Sequence, residues 1–322
     1  INFGCCFADL WLRNPSDRYK EITAELMLKN LKGYMMPIAM TLGIVFHSYV
    51  GALSFIIPYL IFVMLLLTYV KLSWKEIRFT KMHLWLILIQ IVGSVSAYFV
   101  LNPFNSTLAQ GVMICILAPT ATSAPVITGM LKGNVASLTA YSLISNLTIA
   151  ILAPLFFSYI GYNELPFLSS VFQISKKVVF LLVMPFIIAL LLNKFAPKTS
   201  GFLQTKSGLS FYLWSIALTV VTGRTVQFII EQGQSHIVVE ILIGLFAFVV
   251  CGAQFWFGRK IGRKYNDTVA GGQGLGQKNT VLSIWMAQMY LDPISSIGPG
   301  AYVLWQNMVN SWQVWRKRKS LG

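Results

Sequence analysis

Long stretches of the chain carry no charged residue at all. Gly33 to Val70 is one, long enough for two apolar segments folded at a His47–Gly51 turn. Met82 to Leu131 is a second and again holds two, and Gly133 to Asn163 holds one. The second half reads as shorter apolar runs near Val178–Asn193, Ser207–Gly223, Ile237–Phe257, Tyr265–Tyr290 and Pro293–Trp315. A helix needs about 20 apolar residues to cross a bilayer core, so the pattern predicts ten membrane-spanning helices. The runs are continuous and lack the strict alternation of barrel strands. Pro58, Pro119, Pro125, Pro154 and Pro185 fall inside them, as membrane helices tolerate. The expected fold class is an all-α polytopic membrane protein.

Composition points the same way. Of 322 residues 56% are hydrophobic and only 11% charged, against roughly 25% charged in soluble domains. That excludes a cytosolic enzyme, a disordered chain and a small disulfide scaffold. The formal charge of +15 would suggest nucleic acid in a soluble protein, but its distribution argues otherwise. With the N-terminus on side one, 21 basic residues fall on that side, among them Arg13, Lys75, Lys132, Lys198, Arg259, Arg263 and Arg316. Only Lys176, Lys177 and Arg224 fall on side two, and Lys278 lies inside a span. This asymmetry predicts cytoplasmic termini. The basic loops are expected to meet anionic lipid, with no role for nucleic acid.

The chain begins with Ile1 rather than Met, consistent with a truncated or processed start, and no cleavable signal is expected. Residues 1–30 read as a partly charged surface segment, 33–160 as five spans, 176–315 as five more, and 316–322 as a basic tail. Five is odd, so the second half enters from the opposite side, the plan of an inverted repeat. Cys5, Cys6, Cys115 and Cys251 have no metal-ligand spacing. His47, His83 and His236 read as interface residues, and Glu240 likewise.

Each half has one polar, helix-breaking stretch in its fourth span. One is Ala118-Pro-Thr-Ala-Thr-Ser-Ala-Pro125; the other is Gly271-Gly-Gln-Gly-Leu-Gly-Gln-Lys-Asn-Thr280. Matched interruptions of this kind point to a midplane binding site. The broken helices free carbonyls and amides that an ion, a substrate or a neighbouring helix must satisfy. A proline kink alone would account for the first stretch about as well as a site does. The second is harder to dismiss, because a lysine in mid-membrane costs about 2.5–3.5 kcal/mol. Its glycines follow no strand and match neither a dinucleotide loop nor a P-loop. Gln90, Ser142, Asn146, Gln306 and Asn307 are further polar residues within spans, each more often glue between helices than a ligand.

The run from Ala118 to Thr128, followed by Gly133-Asn134-Val-Ala136, resembles the signature of the bile acid:sodium symporter family. Gly276-Gln-Lys-Asn-Thr280 and Trp305-Gln-Asn307 resemble that family's ninth and tenth spans, closest to its bacterial branch. The resemblance covers about residues 33–315. It implies a panel of spans 1, 2, 6 and 7, a core of spans 3–5 and 8–10, and crossed broken spans 4 and 9. It also implies a bacterial inner membrane and a small organic anion as substrate, a bile-acid-like steroid or a small carboxylate. Thr122, Ser123, Asn279, Thr280 and Asn307 are the substrate-binding residues implied.

The family's sodium sites carry over poorly. The glutamate position reads Gly274, a Ser-Asn pair reads Ala124-Pro125, and two hydroxyl positions read Leu138 and Ser142. Gln90 matches one ligand, but a ligand glutamine is replaced by Lys278. No cofactor is expected; sodium is possible, yet its ligands are largely missing. Lys278 is therefore expected to replace the ion, with Gln90, Ser142, Gln277 and exposed carbonyls around it. Transport would then be sodium-independent, or proton-linked if Lys278 releases its proton. The alternatives are an ordinary sodium-coupled bile acid symporter and, less favoured, a cation/proton antiporter. Against the last, Asn134 to Tyr159 holds no Asp or Glu. No histidine cluster, Gly-x-Ser-x-Gly or intramembrane aspartate pair suggests an enzyme.

Overall fold

The computed structural model describes residues 35–72, 78–161, 166–206, 208–232 and 237–319. The surface segment expected over residues 1–30 lies outside them, as does His236. Among the described residues every regular element is a helix. The first apolar run forms α1 (Met35–Val45). A single turn α2 (His47–Val50), a 3-10 stretch (Gly51–Ile56) and α3 (Ile57–Tyr69) follow. The turn expected at His47–Gly51 is therefore not an open loop, and Gly51 itself is right-handed helical, at φ −59° and ψ −34°. In an apolar medium the backbone must satisfy itself, so the chain changes helix type rather than opening.

Next come α4 (Lys81–Leu101), α5 (Ser106–Leu117), α6 (Ala124–Met130) and α7 (Val135–Ile160). Asn105 caps α5 through the Leu108 N–H at 2.8 Å, and Asn134 caps α7 through that of Ser137 at 3.0 Å. These caps take amides that have no partner within their helix. His83 stands in the first turn of α4 and is buried within the protein: its ring accepts from the Thr80 N–H at 3.2 Å and meets the Ser137 hydroxyl at 3.1 Å, tying α4 to α7.

The second half holds α8 (Phe167–Phe195), a short α9 (Pro197–Thr205), α10 (Leu209–Gln232) and α11 (Ile237–Lys264). It continues with α12 (Thr268–Gly276), α13 (Thr280–Tyr290), a 3-10 turn (Pro293–Ser296) and α14 (Ile297–Lys319). Two expected boundaries move. Lys176 and Lys177 lie within α8, and Arg224 lies within α10 rather than in a loop. The 29 residues of α8 reach about 43 Å, beyond the roughly 30 Å hydrocarbon core. Its lysines are exposed, and long basic stems carry their charge to the boundary. The Arg224 guanidinium stays in place by bonding Gln227 Oε1 at 3.0 Å and lying 4.3 Å from the Phe228 ring centre.

Among the described residues six helices are long and apolar enough to cross a membrane: His47–Tyr69, α4, α7, α8, α10 and α11. Large apolar residues such as Tyr49, Phe104 and Leu168 are about four-fifths exposed, as suits a surface solvated by lipid. The main core joins α3, α5, α7, α8, α10 and α13. A second cluster surrounds Tyr141 between α4, α7 and α12.

Glycine sets the closest packing, that of α12 on α11. A Cβ on Gly271 would lie 2.4 Å from the Gly258 carbonyl oxygen, and one on Gly258 would lie 2.3 Å from that of Gly271. Small residues let membrane helices approach backbone to backbone. Gly271→Val should therefore lower thermal stability in detergent by about 1–3 kcal/mol, a typical cost of overpacking. Gly252→Ala, with nothing within 4 Å of the added carbon, should leave it unchanged or raise it. A fluorescence-detected size-exclusion melt compares the two.

Candidate functional site

Both polar interruptions are breaks between helices, and the two breaks meet. One is the extended stretch between α5 and α6; the other separates α12 from α13. Thr120 and Lys278 form an isolated antiparallel bridge. On either side of it the Asn279 N–H donates to the Pro119 carbonyl at 2.8 Å, and the Ala121 N–H to the Gln277 carbonyl at 3.0 Å. Proline explains why α5 cannot continue: Pro119 lacks an N–H and disfavours helix at the residue before it. Glycine-rich α12 is weak by propensity and needs packing on α11 to persist.

The end of α5 leaves carbonyls that no later turn can bond. Every one from Ile114 to Pro119 accepts a hydrogen bond. The Ala118 N–H donates to Ile114 at 3.0 Å. Gln254 Nε2 donates to Cys115 at 3.2 Å, and Lys278 Nζ to Ile116 at 2.9 Å. Gln90 Nε2 donates to both Leu117 and Ala118, at 2.7 and 2.9 Å. The Asn279 amide serves Pro119. A helix C-terminus carries partial negative charge, so an ammonium there is placed with the field rather than against it. Lys278 is 1% exposed. Glu231, Glu240, Asp267 and Asp292, the acidic residues among those described, all stand at helix ends away from these breaks.

The partner break is held in the same way. Thr120 Oγ1 donates to the Gly274 carbonyl at 2.9 Å, and the Tyr302 hydroxyl to that of Gly276 at 2.8 Å. The Lys278 N–H donates to Gln306 Oε1 at 2.8 Å, and Gln306 Nε2 returns a bond to the Lys278 carbonyl at 3.3 Å. Gln90 is itself oriented by the Tyr141 hydroxyl at 2.9 Å and that of Ser145 at 3.1 Å, both donating to its Oε1. Gln254 Nε2 also meets the Tyr302 hydroxyl at 3.0 Å.

Of the residues singled out from sequence, Lys278, Gln90, Gln277 and Ser123 come together here. Gln90 supports the break beside the amine but does not accept from it. Ser142 does not reach Gln90 or the amine; its carbonyl accepts from Asn146 Nδ2 at 2.8 Å. The residues that do reach Gln90 are Tyr141 and Ser145, four apart on the neighbouring face of α7. Asn307 is likewise turned away and donates to the Val303 carbonyl of its own helix at 2.7 Å; its neighbour Gln306 holds the break. Asn279 caps α13 through the Leu282 N–H at 3.3 Å, and Thr280 is buried behind it. Thr122 is half-buried and Ser123 exposed, with the Ser123 hydroxyl accepting from Gln277 Nε2 at 3.0 Å. At Gly274 there is no room for a side chain: a Cβ would lie 2.6 Å from Tyr141 Cδ1. Sequence reasoning missed Gln254, Tyr141, Ser145 and Tyr302, and treated Gln306 as ordinary glue. Their signal in the sequence is only that polar side chains recur in apolar runs.

Long apolar helices packed around two broken ones define a polytopic membrane protein. The sequence profile of the Sodium Bile acid symporter family matches residues 52–232, more than half of the chain. The chain belongs to that family, whose members are membrane transporters and not enzymes. The match ends before α11, so the second break lies beyond it. No curated protein matches the chain.

Gln90→Leu should cost about 2 kcal/mol, since it strips partners from two carbonyls and two hydroxyls at roughly 0.6 kcal/mol each. Ser142→Ala should be near neutral. Melting curves of the two variants in detergent distinguish this register on α7 from the one expected from sequence.

Proposed function

We propose that this protein is a secondary transporter of an organic anion, working by alternating access, in which the Lys278 amine stands in place of a sodium ion. The observation that carries this is the 2.9 Å bond from Lys278 Nζ to the Ile116 carbonyl at the end of α5. The residues around the breaks do not fit sodium. A hard cation is held by a shell of oxygens. Here the carbonyls of Cys115, Leu117 and Ala118 already accept from glutamine amides. The Tyr141 ring fills the space beside Gly274 where a carboxylate would have to stand. An ion 4 Å from the ammonium would also be repelled by about 4 kcal/mol at an effective dielectric of 20.

In this reading four spans join the six long helices to make ten: α1, α5 with α6, α12 with α13, and α14. Residues 33–160 and 176–315 are then two five-span halves of opposite orientation. Spans 1, 2, 6 and 7 form a panel, and the others form the core that carries the breaks. Both termini face the cytoplasm of a bacterial inner membrane. The anionic head meets the Thr122 and Ser123 hydroxyls, with Asn279 and Thr280 behind them at the first turn of α13. The Gln277 Oε1 atom is buried without a partner among the described residues and adds an acceptor for a hydroxyl on the substrate. Asn307 stays on the periphery.

A sodium-coupled bile acid symporter is the second reading, favoured by the family profile. Uptake into proteoliposomes separates the two. With sodium replaced by potassium, uptake of the bile salt or small carboxylate that best stabilises the protein should be unchanged. Lys278→Met should reduce uptake at least tenfold while the protein still elutes as a single folded species. A proton-linked cycle adds a loss of uptake when the pH gradient is collapsed. Steep dependence of the wild type on sodium would rule out the amine's role.

A further inference from the structure

The C-terminal turns of α11 and α14 carry three arginines outside the breaks themselves. Arg259 and Arg263 are four residues apart on α11 and share a face. Arg259 Nη1 donates to Gln313 Oε1 at 3.1 Å, and Gln313 lies one turn before Arg316 on α14. Arg259 is half-buried, and among the described residues Arg316 and Arg263 both act on it with positive charge. The nearest carboxylate along the chain, Asp267, is within electrostatic reach of His83. Neighbouring guanidinium groups repel one another, and their planar forks match the oxygens of a phosphate.

Two further observations bear on the ligand. One bond further in, Gln273 Nε2 donates to Asn310 Oδ1 and Gln313 Oε1, each at 3.1 Å. Asn310 Nδ2 has no acceptor among the described residues, although the residue is only 4% exposed. The depth is marked by Trp256, Trp312 and Trp315, each more than half exposed. Lys260 lies 4.9 Å from the Trp256 ring centre, and Arg316 lies 5.4 Å from that of Trp312. Exposed indoles beside cations belong to the headgroup layer of a membrane, where the available phosphate is that of a lipid.

We propose that Arg259, Arg263 and Arg316 bind the phosphate of an anionic phospholipid headgroup. Gln313 links this site to Gln273 on α12, one turn before Gln277, so a bound lipid would steady α12 against α11 and α14. The proposal rests on the membrane reading of the chain but not on its substrate or coupling.

The test is the melting temperature of protein reconstituted in phosphatidylcholine nanodiscs, with and without phosphatidylglycerol. Phosphatidylglycerol should raise the melting temperature of the wild type by several degrees. The pair Arg259→Gln and Arg316→Gln should lose most of that rise. Arg263→Gln alone, at an exposed position that folding does not require, should lose part of it. The pair Lys194→Gln and Lys198→Gln removes the same charge elsewhere and should keep it. Inorganic phosphate added to phosphatidylcholine discs should have no effect. The lipid site is overturned if phosphatidylglycerol gives no rise or if the lysine pair loses as much as the arginine pair. It is overturned equally if Arg263→Gln keeps the full rise or if inorganic phosphate reproduces it.

Discussion

A helix that stops inside a membrane leaves carbonyl groups that neither water nor lipid can satisfy. Everything around the paired breaks follows from that constraint. The last carbonyls of α5 are met by two glutamines, a backbone amide and the Lys278 amine. One donor is charged because helix ends are not neutral: the C-terminal carbonyls of α5 add their partial charges where the amine sits. That field favours a cation at this end of α5, and the ammonium of Lys278 is held there by its own chain.

The same constraint explains why so much of the support is polar yet uncharged. Gln90, Gln254 and Gln306 each act on the backbone of a break, and each comes from a different helix. A carboxylate in any of these places would have to pair with Lys278 and would compete with Ile116 for the amine. A neutral amide serves the carbonyls and leaves the charge where the helix end needs it. Glycine completes the arrangement. Gly258 and Gly271 let α11 and α12 touch through their backbones, and Gly274 leaves space for the Tyr141 ring. The breaks are thus held sterically as well as by hydrogen bonds.

Away from the breaks the basic residues follow a different logic. Lys176, Lys177 and Arg224 are carried inside long helices and reach outward or lie against an aromatic ring. The arginines at the ends of α11 and α14 cluster instead, with a buried amide donor behind them. One network, from Arg259 through Gln313 to Gln273, connects this periphery to α12.

The membrane class and the two interruptions, with Lys278 inside the second of them, were legible in the residues alone. A run of twenty apolar side chains, a proline between helices and a lysine among glycines each have one dominant physical consequence, whatever surrounds them. The rotation of the helices was not legible. In α7 and α14 the choice between Ser142 and Ser145 turns on a step of about 60° around the helix axis, and that between Asn307 and Gln306 on one of about 100°. A helix bathed in lipid on one side and apolar core on the other carries no polar face to mark that angle. Only packing against α4, α5 and α12 decides which side chain meets a given carbonyl. The same packing sets the Tyr141 ring over Gly274, a contact between residues 133 positions apart that no local pattern encodes.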